Sequence, residues 1–275
     1  MLETVYSVLQ EEFKRYFDAQ SVNNAIVGIS GGIDSAIVGI SGGIDSAVVA
    51  KLCVDVLGAD NVIGISMPCG IQSDVKDAIA VIDHLHIKHH TLNIEPMLNA
   101  YIESYSIANP KDKREIIQWT MRKGNLAARL RMCTLYDFSK VYNGLVIGTG
   151  NKTELMLGYF TLHGDGACAI EPIGNIYKTE VKALAEYLQL PKRIIDKAPS
   201  AGLWKNQTDE DELGFTYEEI DRLLIAIEEH EKNTPNKNIL KSLKSSGFKI
   251  NIISHITSLI QNNAFKNKHP KPLLG

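Results

Sequence analysis

Ile37–Ala47 reads IVGISGGIDSA, and the eleven residues before it, Ile26–Ala36, repeat it at every position. The short apolar run leads into paired glycines and leaves through Ala47, Val48, Val49, Leu52 and Val56, a pattern of strand, turn and helix that Gly58 would end. Such a turn is a phosphate-binding design. Paired glycines let backbone N–H groups approach an anion with no Cβ in the way, the helix N-terminus adds partial positive charge, and serine hydroxyls donate further bonds. The Asp is the informative residue, because a carboxylate beside a polyphosphate is repulsive unless a cation lies between them; Mg²⁺ is the natural bridge. No Lys follows the glycines as in a Walker A loop, and G-x-G-x-x-G is absent. A plain glycine turn with Asp and Ser capping the helix is the competing reading.

Two identical loops cannot share one site. With Ser30–Ser35 at the site, the following helix would contain Gly39, Gly42 and Gly43, each costing about 1 kcal/mol relative to Ala. An eleven-residue insertion keeps a helical face nearly in phase, so this option stays open. With Ser41–Ser46 at the site, Ile37–Ile40 is the strand and an intact amphipathic helix follows Ala47. The spare copy, 26–36, then becomes an inserted loop at the end of the sheet away from the site, where extra length costs little. The second arrangement is the expectation, although the spare Ile26, Val27, Ile29 and Ile33 are apolar residues without an assigned partner.

Outward from the loop, short apolar strands alternate with amphipathic helices. A first helix is expected over 3–17, strands over 62–66, 89–94 and 145–148, and helices over 74–84, 122–141 and 178–190. Pro191 suits the start of another short helix, and the last quarter reads as helices over 217–229, 239–246 and 250–265. This alternation indicates an α/β, Rossmann-like parallel sheet with helices on both faces, followed by C-terminal helices, in a single domain over 1–275. In such a sheet the ligand site lies at the carboxyl ends of the strands, where both the glycine loop and the Gly148-Thr149 turn leave. Residues 266–275, rich in Lys and Pro, read as a mobile tail.

Composition removes several classes. Among 275 residues, 29 Lys and Arg face 32 Asp and Glu, which gives no electrostatic footprint for nucleic acid or an anionic membrane. A hydrophobic fraction of 44% is too high for disorder, and no apolar run reaches membrane-spanning length. The N-terminus shows no secretory signal, and Cys53, Cys69, Cys133 and Cys168 are scattered among apolar neighbours, so a cytoplasmic protein is expected. His84, His86, His89 and His90 straddle a helix–turn–strand junction where they need not converge, and metal binding is not expected of them.

SGGIDS after the first sheet strand resembles the signature of the N-type ATP pyrophosphatases. Arg122-Lys123-Gly124-Asn125 with Ala128-Arg129-Leu130-Arg131-Met132 is similar to the KGNxxARxRM segment of NAD synthetases. Gly148-Thr149, Asn151-Lys152, Glu154, Gly158-Tyr159, Thr161, Gly164-Asp165, Pro172-Ile173-Gly174, Tyr177-Lys178-Thr179 and Lys197–Ala201 continue that likeness, which runs over residues 1–266. The resemblance implies an adenine-nucleotide-hydrolase-like fold and a ligase that amidates deamido-NAD through an adenylate, releasing AMP and pyrophosphate. Glutamine-using members carry a further amidohydrolase domain, for which this length leaves no room, so ammonia is the expected nitrogen source. Mg²⁺, ATP as co-substrate and a homodimer are implied with it.

Carried onto this chain, the resemblance implies that Gly39, Ile40, Ser41, Gly42, Gly43, Ile44, Asp45, Ser46, Thr149, Lys178 and Ser200 bind ATP. Asp45 and Glu154 would hold the metal, and Asn125, Arg129 and Arg131 the deamido-NAD. Asp165 stands where it could take a proton from ammonium, and Lys178 where it could neutralise phosphate. Each residue alone reads more readily as a solvated charge, a first-turn acid or a surface lysine than as a functional group; their joint spacing around two strand ends reverses that. The family's GQxDE segment here reads Asn206-Gln207-Thr208-Asp209-Glu210, without the Gly. A tRNA-modifying pyrophosphatase, and a nucleotide-binding protein inactivated by the duplication, are the alternatives.

Overall fold

The computed structural model describes residues 1–24, 35–70, 75–104, 112–200, 208–233 and 239–268, with side chains of the first segment described as far as Ala19. Its strands are β1 (Ser35–Gly39), β2 (Val62–Ser66), β3 (Lys88–Thr91) and β4 (Gly144–Ile147). Its helices are α1 (Leu2–Asn24), α2 (Ile44–Leu57), α3 (Val75–Leu85), α4 (Glu95–Glu103), α5 (Lys113–Val141), α6 (Lys152–Leu157), α7 (Lys178–Tyr187) and α8 (Lys192–Ile195), then α9 (Asp209–Leu213), α10 (Tyr217–Asn233), α11 (Ile239–Ser245) and α12 (Ile250–Asn263). Among the described residues the strands form one parallel sheet in the order β3-β2-β1-β4, the α/β architecture that the alternating pattern predicts.

The pleat sorts β1 between two layers. Ala36, Val38 and Ile40 pack with Phe13 and Phe17 of α1, the apolar face of α2, and Val181 and Leu184 of α7. Ile37 points the other way, with Ile63 and Ile65 of β2, towards Leu98 of α4 and Ala127 of α5. Both faces being covered explains why these strands are continuously apolar rather than alternating. Gly58 ends α2 with φ at 84° and ψ at 151°, a positive-φ extended conformation that favours glycine.

β3 is shorter than the expected 89–94, but the chain stays beside β2 further on. Leu92 N donates to Ser66 O and Ile94 N to Pro68 O, both at 2.9 Å. Pro96 in the first turn of α4 then turns the chain into a helix absent from the expectation. α5 starts nine residues before the expected Arg122, capped by Asp112, whose Oδ1 accepts from Glu115 N at 2.9 Å. A separate core of Leu157, Tyr177, Leu213, Ile220, Leu224, Ile253 and Ile256 joins the C-terminal helices to α6. Among the described residues no helix is long and apolar enough to cross a membrane. Of the spare loop copy only Ser35 and Ala36 are described, as the first two residues of β1; 26–34 lie outside the described residues, as do 269–275 of the expected tail.

Candidate active site

The second loop copy leaves the carboxyl end of β1, between β2 and β4. Gly42 takes φ at 80°, which a side chain would strain, and Gly43 occupies the cap position of α2 with no side chain bonded to its first turn. Ser41 Oγ accepts from Gly43 N at 3.1 Å, and Ser46 Oγ donates to Gly43 O at 2.9 Å. Neither Asp45 nor Ser46 caps the helix, so the plain capping reading of this turn does not hold.

Asp45 instead reaches across to the two elements that follow β4. Its Oδ1 accepts from Asn151 Nδ2 at 3.0 Å and its Oδ2 from Lys178 Nζ at 2.5 Å. Asn151 opens α6 in a capping box with Glu154, which fixes both residues at a helix start. Glu154 Oε2 accepts from Asn151 N, leaving Oε1 to accept from Lys178 Nζ at 3.3 Å. Two carboxylates from α2 and α6 therefore converge on one ammonium from α7. Burial pushes the Glu154 carboxyl up to about 7, with Asp45 adding to the rise and Lys178 opposing it. Burial penalises the Lys178 charge, but Asp45 and Glu154 outweigh that and hold its pKa above the usual lysine value.

A buried frame from the C-terminal helices holds Lys178. Thr153 Oγ1 accepts from Lys178 N at 3.0 Å and donates to Asp221 Oδ1 at 2.5 Å; Asp221 Oδ2 accepts from Thr179 N and its hydroxyl. The Lys178 ammonium lies 5.3 Å from the centre of the Tyr217 ring, and Tyr217 OH donates to buried Asp209 at 3.1 Å. Thr153, Asp209, Tyr217 and Asp221 were not expected at the site. For Asp209 the available signal was its place in the segment that resembles the family's GQxDE; Thr153, Tyr217 and Asp221 carried no signal that sequence alone distinguishes from surface positions.

The turn after β4 is equally crowded. A Cβ on Gly148 would overlap Glu171 and Cys168, and Gly150 N donates to Glu171 Oε2 at 2.8 Å, which places Thr149 between two fixed glycines. Burial pushes the Glu171 carboxyl up to about 7, Asp165 adding and the bonds from Cys168 and Gly150 opposing. The folded chain thus keeps a proton that the unfolded chain releases above its ordinary 4.5, so stability from this group is present at low pH and lost as pH rises through about 7. Glu171→Gln, neutral throughout, is expected to gain roughly a few degrees of Tm over the wild type as pH rises across that window. A pH series of thermal melts checks this, and a constant difference refutes it.

The expected dinucleotide residues divide. Asn125 and Arg129 line a cleft of about 240 Å³ with Tyr101, Trp119, Arg122 and Lys123, and both also hold the loop after α6. Thr161 Oγ1 donates to Asn125 Oδ1 at 2.9 Å, Arg129 Nη2 to Leu162 O at 3.2 Å, and Thr161 N to Asp165 Oδ1 at 2.9 Å. Arg131 stands apart from this cleft; its Nε donates to Met67 O at 3.0 Å, just beyond β2. Lys197 Nζ donates to Gly42 O at 3.3 Å and bridges to Asp77 at 3.0 Å, bringing the chain near Ser200 to the glycine turn. Ser200 is exposed, and 201–207 lie outside the described residues. His90 bonds to the Tyr142 hydroxyl, and no metal-binding group of His, Cys, Asp and Glu is found among the described residues.

The family model described as NAD synthase matches residues 36–270. The NH(3)-dependent NAD(+) synthetase of Trichlorobacter lovleyi is 44% identical over 248 residues, 90% of this chain and 81% of that protein. An NMN synthetase structure from Francisella tularensis is 33% identical with a TM-score of 0.77, covering 98% of this chain and 99% of that one. An NH3-dependent NAD synthetase from Campylobacter jejuni, in complex with the nitrate ion, is 32% identical with a TM-score of 0.73 at the same coverage.

Proposed function

The chain belongs to the NAD synthase family, and from that premise we propose that it is an ammonia-dependent ligase that converts deamido-NAD, ATP and ammonia into NAD, AMP and pyrophosphate. The observation that carries this reading is the convergence of Asp45, Glu154 and Lys178 beside an uncapped, glycine-led helix start. The glycine turn and the first N–H groups of α2 receive phosphate oxygens, and Lys178 neutralises charge on them as a point cation. The nicotinate carboxylate attacks the α-phosphorus and pyrophosphate departs. Ammonia then adds to the activated carbonyl, the carbon–oxygen bond to AMP breaks, and a proton is lost. Asp165, beside the Asn125 and Arg129 cleft, takes the proton that turns ammonium into the attacking ammonia.

Asp45 and Glu154 fit a divalent ion, since their oxygens already share one compact cation, and carboxylates plus substrate phosphates are the donor set that Mg²⁺ takes. When bound it would neutralise charge on the departing pyrophosphate. Lys178 would then shift from these carboxylates to the phosphates. Exposed Ile116, Ile117 and Met121 on α5 support the homodimer reading, because such apolar residues on one helix favour a protein partner.

A coupled assay tests the reaction. Pyrophosphate and NAD are expected in equal amounts and only with both deamido-NAD and ammonium present. Release without deamido-NAD would overturn the reading, and nucleotide binding without turnover would support a protein inactivated by its duplication. Likeness to the Francisella tularensis NMN synthetase favours a second reading on the same chemistry, amidation of the nicotinate mononucleotide. Comparing kcat/KM for the two acids decides between them.

A further inference from the structure

The end of the described chain folds back onto the loop that carries Asp165. Asn263 Nδ2 donates to Leu157 O at 3.0 Å and Asn267 Nδ2 to Leu155 O at 2.7 Å. Between them Lys266 Nζ donates to Gly158 O at 2.7 Å and Phe160 O at 2.9 Å. These are the last carbonyls of α6 and the first of the loop, groups that a helix end leaves in need of donors. Gly158 is left-handed, with φ at 65°, and a Cβ there would overlap Asn263, so the returning chain lies flush against the turn.

Lys266 also lies 5.4 Å from the centre of the Phe160 ring, within cation–π range. The same ring packs on Gly166, where a Cβ would overlap it, so Phe160 is wedged between Lys266 and the residue after Asp165. Thr161, next along, gives its N–H to Asp165 and its hydroxyl to Asn125. Contacts therefore run unbroken from Lys266 through Phe160 and Thr161 to Asp165. Lys266 is half-buried; burial lowers its pKa, and Asp165 opposes that fall.

Resting on the reading of Asp165 given above, we propose that Lys266 is a positioning residue for the ammonia step: its ammonium clamps the Gly158 and Phe160 carbonyls so that the loop presents Asp165 to incoming ammonium. Its donors go to the Gly158 and Phe160 carbonyl oxygens, which fixes the loop that carries Asp165. Adenylation is assigned to the Asp45, Glu154 and Lys178 cluster; the clamp reaches Asn125 and Arg129 only through Thr161 and Leu162, so exchange is read at saturating deamido-NAD.

The test uses the full chain and two readouts: deamido-NAD-dependent exchange of labelled pyrophosphate into ATP, which needs no ammonia, and NAD formation against ammonium concentration. Lys266→Met is expected to keep exchange within about twofold of wild type while kcat/KM for ammonium falls about tenfold or more, because small misplacements of a reacting group are costly. Lys266→Arg, which keeps the cation, is expected to restore most of it. Phe160→Leu, on the other side of the contact, gives the same split and replaces Lys266→Met should that variant not fold. Exchange and NAD formation falling together, or neither changing, overturns the proposal. Asp165→Asn separates the two ideas: if it leaves ammonium dependence unchanged, the reading of Asp165 fails and the clamp with it. If it lowers ammonium use while Lys266→Met and Phe160→Leu do not, the clamp alone fails.

Discussion

Asp45→Ala is expected to lower pyrophosphate release by about a thousandfold, the upper end of what loss of one preorganised charge-stabilising group costs. Asp34→Ala, the same change in the other loop copy, is expected to leave turnover within about twofold, as substitutions away from a site generally do. Asp45 joins three elements, bonded at once to Asn151 of the α6 cap and Lys178 of α7, so its loss both unbalances the charge cluster and unties α2 from them. A melt of Asp45→Ala at neutral pH separates lost chemistry from lost fold. Deleting 26–36 should spare activity, because Ala25 then precedes Ile37 as Ala36 does now and Asn24 replaces Ser35 opposite Gly144. Activity lost on deletion or in Asp34→Ala, and retained in Asp45→Ala, would transfer the site to the first copy.

Lys178→Met comes second in size, with turnover down about a hundredfold or more. The apolar replacement leaves Asp45 and Glu154 facing one another without their shared cation, so the ligand-free protein is expected to melt several degrees lower, about what a broken, partly buried ion pair costs. Lys178→Arg should recover stability but little activity, because a planar fork cannot occupy the place of a point charge 2.5 Å from Asp45 and 3.3 Å from Glu154. Steady-state rates with melts of both variants check this. Arginine that restores full turnover would show that net charge alone matters there.

The sheet was legible because its strands are buried on both faces. VIGIS at 62–66 is an apolar run with turn signals on either side, and its bounds agree with β2. β3 was harder: KHHT carries no apolar pattern, since an edge strand is held by backbone bonds and neighbouring Leu92 and Ile94 rather than by its own side chains. At the site, Asp45, Glu154 and Lys178 were legible through the family resemblance of the segments that carry them, and the structure brings them together. What supports them was not readable. Asp221 and Tyr217 sit on α10, far along the chain, and only the packing of α10 on α7 carries them beneath Lys178. Glu171 was likewise silent in sequence, because its effect depends on two glycines with no room for a side chain.

Ser35 and Ala36 belong to the spare repeat by sequence and to β1 by position. The sheet therefore takes the last two residues of the spare copy as the start of its incoming strand. That makes the amino end of β1 a natural splice point, where a reporter or a permuted terminus could be grafted while the catalytic rim, at the opposite end of the same strand, keeps its geometry.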